Sequence, residues 1–427
     1  MKEIVRGASV AFVLKVSGAA LAFMFNVILA RVLGAEGAGI YFLALTFTTI
    51  TTVFGRMGLD NALLRFVATG VAAGDWAGVK GVYRKGMMLA LVASSISSLI
   101  VFTAASWLAE TVFSKPELTA PIRWMMLAVV PMVLLILHGK LLQGLKRIRD
   151  SQLIERIGVP GLSLFGVYLL GQVWGVKGAV WVYTIAVVFT ALVGYWMWRM
   201  ATPQLRDISG HFETHDLLRS SMPLFWVTST HMLMNLMATF MLGIWGTNVD
   251  VSIFNVASRT AVFTSFILAA VNTIAAPKFA ILYKQGNIEA LGSTARSCAK
   301  LMILMASPVL LIFIVVPRLV MGLFGPQFME GSAVLAILTI AQLFNVATGS
   351  VGPLLMMTGN ERSVRNSVVA GALTSLVFNV LLIPFLGIIG AAVANGLSLV
   401  LVNIICLWAI HRHLGITLLI DSWFIRP

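Results

Sequence analysis

A glycine-rich segment separates two long apolar segments near the start of the chain and reads Arg31-Val32-Leu33-Gly34-Ala35-Glu36-Gly37-Ala38-Gly39-Ile40-Tyr41. The second apolar segment is rich in threonine and ends in a polar, basic turn, Gly58-Leu59-Asp60-Asn61-Ala62-Leu63-Leu64-Arg65-Phe66, followed by Gly74-Asp75-Trp76. No strand precedes the glycines, so they predict a tight turn between two helices and not a phosphate-binding loop.

The same pattern recurs at a shift of 212 residues. Seven positions of the first copy are repeated in the second: Gly34, Phe42, Thr48, Thr52, Phe54, Ala68 and Gly74 match Gly246, Phe254, Thr260, Thr264, Phe266, Ala280 and Gly286. At the same shift, Gly175-x-x-Gly178-Ala179 matches Gly387-x-x-Gly390-Ala391. Two separated segments that keep one register indicate a duplicated chain.

The composition identifies lipid as the solvent of most of the chain. Of 427 residues, 59% are hydrophobic and 11% are charged, whereas soluble domains carry roughly 25% charged residues. The net charge of +14 therefore does not indicate a nucleic-acid partner. The two cysteines, Cys298 and Cys406, have neither disulfide-framework nor metal-ligand spacing.

Helices that cross the hydrocarbon need about 20 apolar residues, and twelve segments qualify. These spans are 8–30, 38–59, 86–108, 120–143, 152–173, 177–199, 221–244, 250–275, 297–320, 331–356, 366–385 and 388–411. We expect an all-α integral membrane protein with two parallel six-helix repeats around a central cleft. The expected divisions are an N-terminal bundle at 1–200, a cytoplasmic connection at 201–220 and a C-terminal bundle at 221–427.

The basic residues predict the orientation, because cytoplasmic loops carry excess Lys and Arg. With the N-terminus in the cytoplasm, 23 of the 30 Lys and Arg residues fall on the cytoplasmic side. The sequence thus predicts a multi-pass protein of the cell (cytoplasmic) membrane with both termini inside. Its inner face should attract anionic membrane lipid.

Charges inside predicted spans are costly unless they face a wet cavity or a partner. Arg259 lies about ten residues into the eighth span and shares a helix face, within about 60°, with Ser252 and Asn255. A polar stripe that ends in a guanidinium suits a phosphate-binding cavity, because the guanidinium offers forked donors and keeps its charge. A structural arginine bonded to helix-end carbonyls is the alternative.

Other polar residues in the first two spans are candidates for the same cavity. Lys15 shares a face of the first span with Asn26, although a lysine near a membrane interface can also extend to the headgroups. Arg56 is either a substrate-binding cation or one half of an Arg56–Asp60 helix pair at the cytoplasmic rim, with Asp60 as a gate residue. Arg31 is either a partner of Glu36 or an external gate.

Coupling to an ion has weaker candidates. His231 shares a face with Thr228 and Asn235 and is either a proton carrier or a neutral hydrogen-bonding group. No Asp or Glu lies deep in a predicted span, so the coupling ion stays open. His211-Phe212-Glu213-Thr214-His215-Asp216 resembles a metal cluster but is expected to be solvated. No ATP-binding loop is present, and neither a metal nor a cofactor is expected.

The segment Leu29–Tyr41 resembles the signature that follows the first helix in polysaccharide-biosynthesis membrane proteins. These are O-antigen and teichoic-acid type flippases of the multidrug/oligosaccharidyl-lipid/polysaccharide superfamily. Gly58–Phe66 and Gly74-Asp75 are similar to the end of that family's second helix. The resemblance covers nearly the whole chain and is most specific over residues 20–76.

The resemblance implies a transporter without catalytic residues that moves an undecaprenyl-pyrophosphate-linked oligosaccharide to the outer leaflet. The family's cavity is commonly cationic, which agrees with the locations of Lys15, Arg56 and Arg259. An exopolysaccharide unit is favoured over the peptidoglycan precursor, with a polysaccharide polymerase and glycosyltransferases as expected partners. The alternatives are a cation-coupled multidrug antiporter, which would prefer buried carboxylates, and a polymerase or ligase, which would need larger external loops.

Overall fold

The computed structural model describes residues 2–206, 208–212 and 214–418, with side chains from Val13 onward. Lys2, Arg6 and Arg426, which contribute to the predicted orientation, lie outside the described side chains. The described chain is built from helices: α1 Lys2–Arg56, α2 Leu59–Ala73, α3 Trp76–Trp107, α4 Thr119–Met126, α5 Val129–Gly144, α6 Ile148–Gln152, α7 Val159–Ala201, α8 Thr214–Trp245, α9 Asn248–Ala261, α10 Ser265–Lys284, α11 Ile288–Val315, α12 Pro317–Gly322, α13 Ser332–Thr348, α14 Val351–Met357 and α15 Glu361–Leu414.

Among the described residues, eight helical segments are long and apolar enough to cross a membrane, and α4 with α5 forms a ninth that is bent by 44°. Three of the eight contain a single residue with non-helical backbone angles, at Gly34, Gly175 and Gly387. Each of these three segments contains two of the predicted spans. The predicted all-α membrane fold with about twelve helices is therefore confirmed.

The chain reverses direction at each of these glycines. The rings of Phe25 and Tyr41, on the two sides of Gly34, lie 6.3 Å apart, whereas a straight helix would separate them by about 24 Å. Ser398 Oγ donates a hydrogen bond of 2.7 Å to the carbonyl of Gly371 across Gly387. The predicted turn at residues 34–39 thus occupies one residue, and Gly37 and Gly39 belong to the second helix of the hairpin.

The duplication predicted from the sequence is present in the backbone. Gly175 has φ 56° and ψ −136°, and Gly387 has φ 54° and ψ −131°. Gly74 and Gly286 both have φ close to +70°. The residue after each of them caps the next helix: Asp75 accepts from Gly78 N, and Asn287 accepts from Ala290 N.

Two predicted spans have an interior break a few residues before a proline. The fourth span divides between α4 and α5, where Pro131 lacks an amide and its ring would clash with the carbonyl of Leu127. The tenth divides between α13 and α14 at Gly349, four residues before Pro353. Gly349 has φ +73°, and a β-carbon there would lie 2.8 Å from Ala299 Cβ.

The chain forms two compact units, residues 1–232 and 233–427, called here the N-terminal and C-terminal units. The boundary between these two units lies within α8. The first half of α8 packs on the N-terminal unit, where the rings of Phe54 and Phe225 are 5.6 Å apart. The division of the chain at 201–220 stays a prediction.

The residues of the connection that the structure describes lie against α3. A β-carbon at Gly81 would come within 2.6 Å of the His211 carbonyl carbon, and one at Gly210 within 2.7 Å of Gly81 N. The rings of Phe66 and Phe212 pack edge to face at 5.0 Å. Glycine is needed at 81 and 210 because the two backbones touch.

Gly58 at the start of α2 provides a test of close packing in the N-terminal unit. Gly58 and Gly74 share φ +73°, so alanine costs roughly 1–2 kcal/mol of backbone strain at either position. A β-carbon at Gly58 would also lie 2.6 Å from Phe225 N and nearer still to the Ser221 carbonyl, whereas one at Gly74 meets nothing within 4 Å. Gly58→Ala should therefore lower the thermal unfolding midpoint of the detergent-purified protein clearly more than Gly74→Ala. Equal shifts would contradict this packing.

Candidate functional site

The ion pair expected between Arg56 and Asp60 is present at the end of α1. Arg56 Nη1 lies 3.0 Å from Asp60 Oδ2. The side chains are 16% and 9% exposed, respectively. The chain turns between them at Met57 and Gly58, which both have positive φ. The arginine thus neutralises a buried carboxylate, and the gate roles of the two residues stay predictions.

Lys15 and Asn26 occupy different environments on the first helix. Lys15 is half-buried and has no hydrogen bond or ion pair with any side chain that the structure describes. Because Phe25 faces Tyr41 in an antiparallel hairpin, Lys15 lies level with about Thr51, roughly 7 Å closer than Arg56 to the reversal at Gly34. Asn26 is 6% exposed and donates to the Ala22 carbonyl at 2.7 Å.

Arg31 and Glu36 lie on either side of the reversal at Gly34, and both side chains are exposed. The two residues therefore lie at the closed end of the first hairpin. The external gate formed by Arg31 stays a prediction.

Of the residues predicted to form a polar stripe on the eighth span, two are buried inside the C-terminal unit and one is exposed on its surface. Ser252 is fully buried, and Asn255 is 8% exposed. Asn255 Nδ2 donates to Thr239 Oγ1 at 3.2 Å and to the Val251 carbonyl at 2.9 Å. Arg259 is exposed at the end of α9. Asn255 therefore joins α8 to α9, and of the three predicted residues only Arg259 is exposed.

Asn235 borders a small polar cavity inside the C-terminal unit. The cavity has a volume of about 90 Å³, which is room for several water molecules. Its polar lining consists of Asn235, Ser258, Gln342, Asn395 and Ser398. His231, one turn earlier on α8, is exposed. Asn235 is exposed as well, and the coupling roles of His231 and Asn235 stay predictions.

A chain of amides extends from this cavity through the C-terminal unit and was not predicted from the sequence. Ser265 Oγ and Asn345 Nδ2 donate to Gln342 Oε1 at 3.2 and 3.1 Å. Asn403 Nδ2 donates to Asn345 Oδ1 at 3.1 Å, and Thr348 Oγ1 donates to Asn403 Oδ1 at 2.9 Å. These bonds join α10, α13 and α15.

The N-terminal unit contains a second polar cluster that the sequence did not reveal. His138 on α5 is 2% exposed. One ring nitrogen lies 2.8 Å from the Leu134 carbonyl and the other 3.5 Å from Tyr83 Oη. Nearby, Lys140 Nζ lies 3.7 Å from Glu155 Oε2. Lys140 and Glu155 are 15 residues apart and would be separated by about 22 Å in one straight helix, so only the fold brings them together.

The segment considered as a metal cluster is only partly described, because Glu213 lies outside the described residues. His215 Nδ1 lies 3.8 Å from Asp216 Oδ1, and both side chains are well exposed. Within the part of the chain that the structure describes, no three His, Cys, Asp or Glu side chains form a metal-binding group.

This architecture defines a multi-pass α-helical membrane protein with a duplicated helical unit. A family model described as "Polysaccharide biosynthesis protein" matches residues 4–282, well over half of the chain. The chain therefore belongs to the polysaccharide biosynthesis protein family.

Individual relatives agree with this assignment. The chain is 21% identical over 406 residues to the "Probable low-salt glycan biosynthesis flippase Agl15" of Haloferax volcanii, which covers 93% of this chain and 81% of the relative. It shares its fold with an inward-facing multidrug resistance MATE family transporter of the MOP superfamily, with TM-score 0.77, 17% identity and coverage of 95% and 98%. It also shares its fold with the lipid II flippase MurJ, with TM-score 0.76, 12% identity and coverage of 93% and 86%.

The Arg56–Asp60 pair gives a test that separates a structural role from a gate. Arg56→Gln leaves the Asp60 carboxylate buried without its cation, which should cost about 3 kcal/mol of folding stability. Adding Asp60→Asn should recover much of that loss, because no buried charge then remains. Thermal unfolding of the purified variants measures both effects. If Arg56→Gln unfolds like the wild type and only transport is lost, the structural role is wrong and the gate is favoured.

Proposed function

We propose that this chain flips an undecaprenyl-pyrophosphate-linked oligosaccharide from the inner to the outer leaflet by alternating access. The cargo would be an exopolysaccharide, O-antigen or teichoic-type unit. The observation that carries the proposal is the family match over residues 4–282, on a chain whose fold is shared with a lipid-linked substrate flippase. The proposal includes no covalent step, and a polysaccharide polymerase and glycosyltransferases would act before or after it.

The charges of the described residues support an anionic headgroup. Lys15 is half-buried in a membrane-spanning helix, and Arg259 is exposed at the end of another. A pyrophosphate moving through hydrocarbon needs fixed cations to offset its charge, and a guanidinium can donate two parallel hydrogen bonds to a phosphate. We assign Lys15 and Arg259 as headgroup contacts, with Asn26, Arg56 and Asn255 as supporting residues.

A cation-coupled multidrug antiporter is the second candidate, because the fold is shared with a MATE transporter. A cationic drug needs a carboxylate in the binding site. Two acidic side chains at the predicted spans, Asp60 and Glu155, already pair with Arg56 and Lys140, and Asp250 at the start of the eighth span accepts hydrogen bonds from Thr247. This pairing favours the flippase.

The test uses a strain that lacks the chromosomal gene and expresses the chain from a plasmid. Lys15→Gln with Arg259→Gln should abolish surface polysaccharide, because the pyrophosphate loses two compensating charges, while the protein still inserts at normal levels. Arg318→Gln with Arg362→Gln removes two exposed cations near the ends of predicted spans and should leave the polymer unchanged. Surface polysaccharide is measured by sugar staining, and insertion by membrane fractionation.

Normal polymer from Lys15→Gln with Arg259→Gln would contradict the assigned contacts. Normal polymer in the deletion strain itself would contradict the function. Restored resistance to cationic dyes in place of restored polymer would support the antiporter.

A further inference from the structure

Four cations of the N-terminal unit lie together where α3 begins and α7 ends. They are Lys80, Arg84, Arg199 and Arg206, called here the basic patch. Lys80 and Arg84 share one face of α3, and Lys80 Nζ donates to the carbonyl of Arg206 at 3.4 Å. Arg199 follows Trp198, whose ring stacks on Tyr83 of α3 at 5.1 Å. Two helix ends and the connection after α7 therefore bring the four charges to one location.

The patch is held in place by packing. Leu205, next to Arg206, is buried at 7% exposure, and the connection then lies against Gly81 in backbone contact. Arg199 Nη1 donates to Tyr195 Oη at 3.4 Å. Three of the four cationic side chains are exposed and Lys80 is half-buried.

No carboxylate among the described residues neutralises the patch. The ion pairs of the described chain involve Arg56, Lys140, Arg147 and His215, and none includes a patch residue. Asp207 lies outside the described residues, and counting it as a full charge still leaves a net charge of about +3 on the patch. Several like charges held together need anions from the surroundings.

The patch lies at the level where lipid headgroups are found. Lys80 and Arg84 directly precede the predicted span 86–108, and Arg199 ends the span 177–199. Tyr195 and Trp196 beside it are 43% and 57% exposed, as expected of an aromatic belt at a membrane interface. An apolar surface continues from the patch into the membrane, where Met88 is 62% exposed one turn after Arg84 and Leu192 is 61% exposed two turns before Arg199. This surface suits acyl chains.

We propose that the basic patch is a binding site for the phosphodiester headgroup of an anionic glycerophospholipid. In the predicted topology the lipid belongs to the cytoplasmic leaflet. Arg84, Arg199 and Arg206 contact the phosphate and the anionic headgroup, Lys80 positions Arg206, and the acyl chains lie along Met88 and Leu192. This lipid remains bound as a structural ligand and is not transported.

Native mass spectrometry of the full-length, detergent-purified protein tests the site with defined lipids. The wild type should retain phosphatidylglycerol over phosphatidylcholine of the same acyl chains, and added salt should weaken the binding. Arg84→Gln/Arg199→Gln/Arg206→Gln should lower phosphatidylglycerol affinity by about tenfold or more. The matched control is Lys284→Gln/Arg362→Gln/Arg365→Gln, which removes three exposed cations elsewhere and should keep most of the affinity.

Several results would overturn the proposal: equal retention of both lipids, an unchanged triple variant, or the same loss in the control. Displacement of the lipid by inorganic phosphate would show a site for soluble anions and would also contradict it. If the triple variant does not purify as a folded protein, Arg84→Gln alone should still lower the affinity several-fold, and no change would count against the site. Lipid binding is measured without transport, so this result is independent of the flippase assay.

Discussion

Backbone amides and carbonyls cannot be left unbonded in hydrocarbon, and this constraint determines how the chain turns. An exposed loop within the membrane would cost several kcal/mol for each unsatisfied group. The chain instead reverses at one residue, and its helical hydrogen bonding resumes immediately. At Gly175 and Gly387 the backbone has positive φ with ψ near −130°, a conformation that glycine adopts without steric cost. Each hairpin therefore depends on one glycine.

Polar side chains in the interior of the bundles follow the same rule. Threonines bond to the carbonyl one turn earlier, as Thr46 does to Phe42 and Thr190 does to Ala186. Asparagine and glutamine side chains have more donors and acceptors than their own helix can bond, so they also bond to side chains of another helix, as Asn403 does with Asn345. Such bonds in membranes contribute roughly 0.6–2 kcal/mol each, so their main effect is to determine which helix faces pack together.

The features predicted from the sequence are those encoded by neighbouring residues. The length of the apolar segments predicts twelve membrane-spanning helices, and the four-residue spacing of Arg56 and Asp60 predicts their ion pair. The shift of 212 residues matches Asp75 with Asn287, which cap equivalent helices. Pro131 and Pro353 follow the interior breaks of the fourth and tenth spans, because a proline cannot donate the backbone hydrogen bond to the residue four positions earlier. These breaks were not predicted, because the spans were assigned from the length of the apolar segments.

The missed features depend on contacts between residues distant in sequence. Helical periodicity places Asn255 and Arg259 on one face, yet Asn255 is buried against Thr239 and Arg259 is exposed. Only the packing of α8 on α9 makes this difference. The amide chain through Gln342, Asn345 and Asn403 likewise has no local signature, since each residue is an isolated polar position in an apolar helix.

The pairing of charged side chains, more than their number, determines the electrostatic potential of the protein. Acidic residues are few, and two of those at the spans are paired with cations: Asp60 with Arg56 and Glu155 with Lys140. A buried ion pair has almost no field at a distance, because its charges cancel, whereas Lys15 and the basic patch have no carboxylate within 4 Å among the described residues. The uncompensated charge is therefore positive at Lys15 in the first helix and at the end of the N-terminal unit where α3 begins. A cation that approaches either location meets repulsion, whereas a phosphate or pyrophosphate group is attracted there.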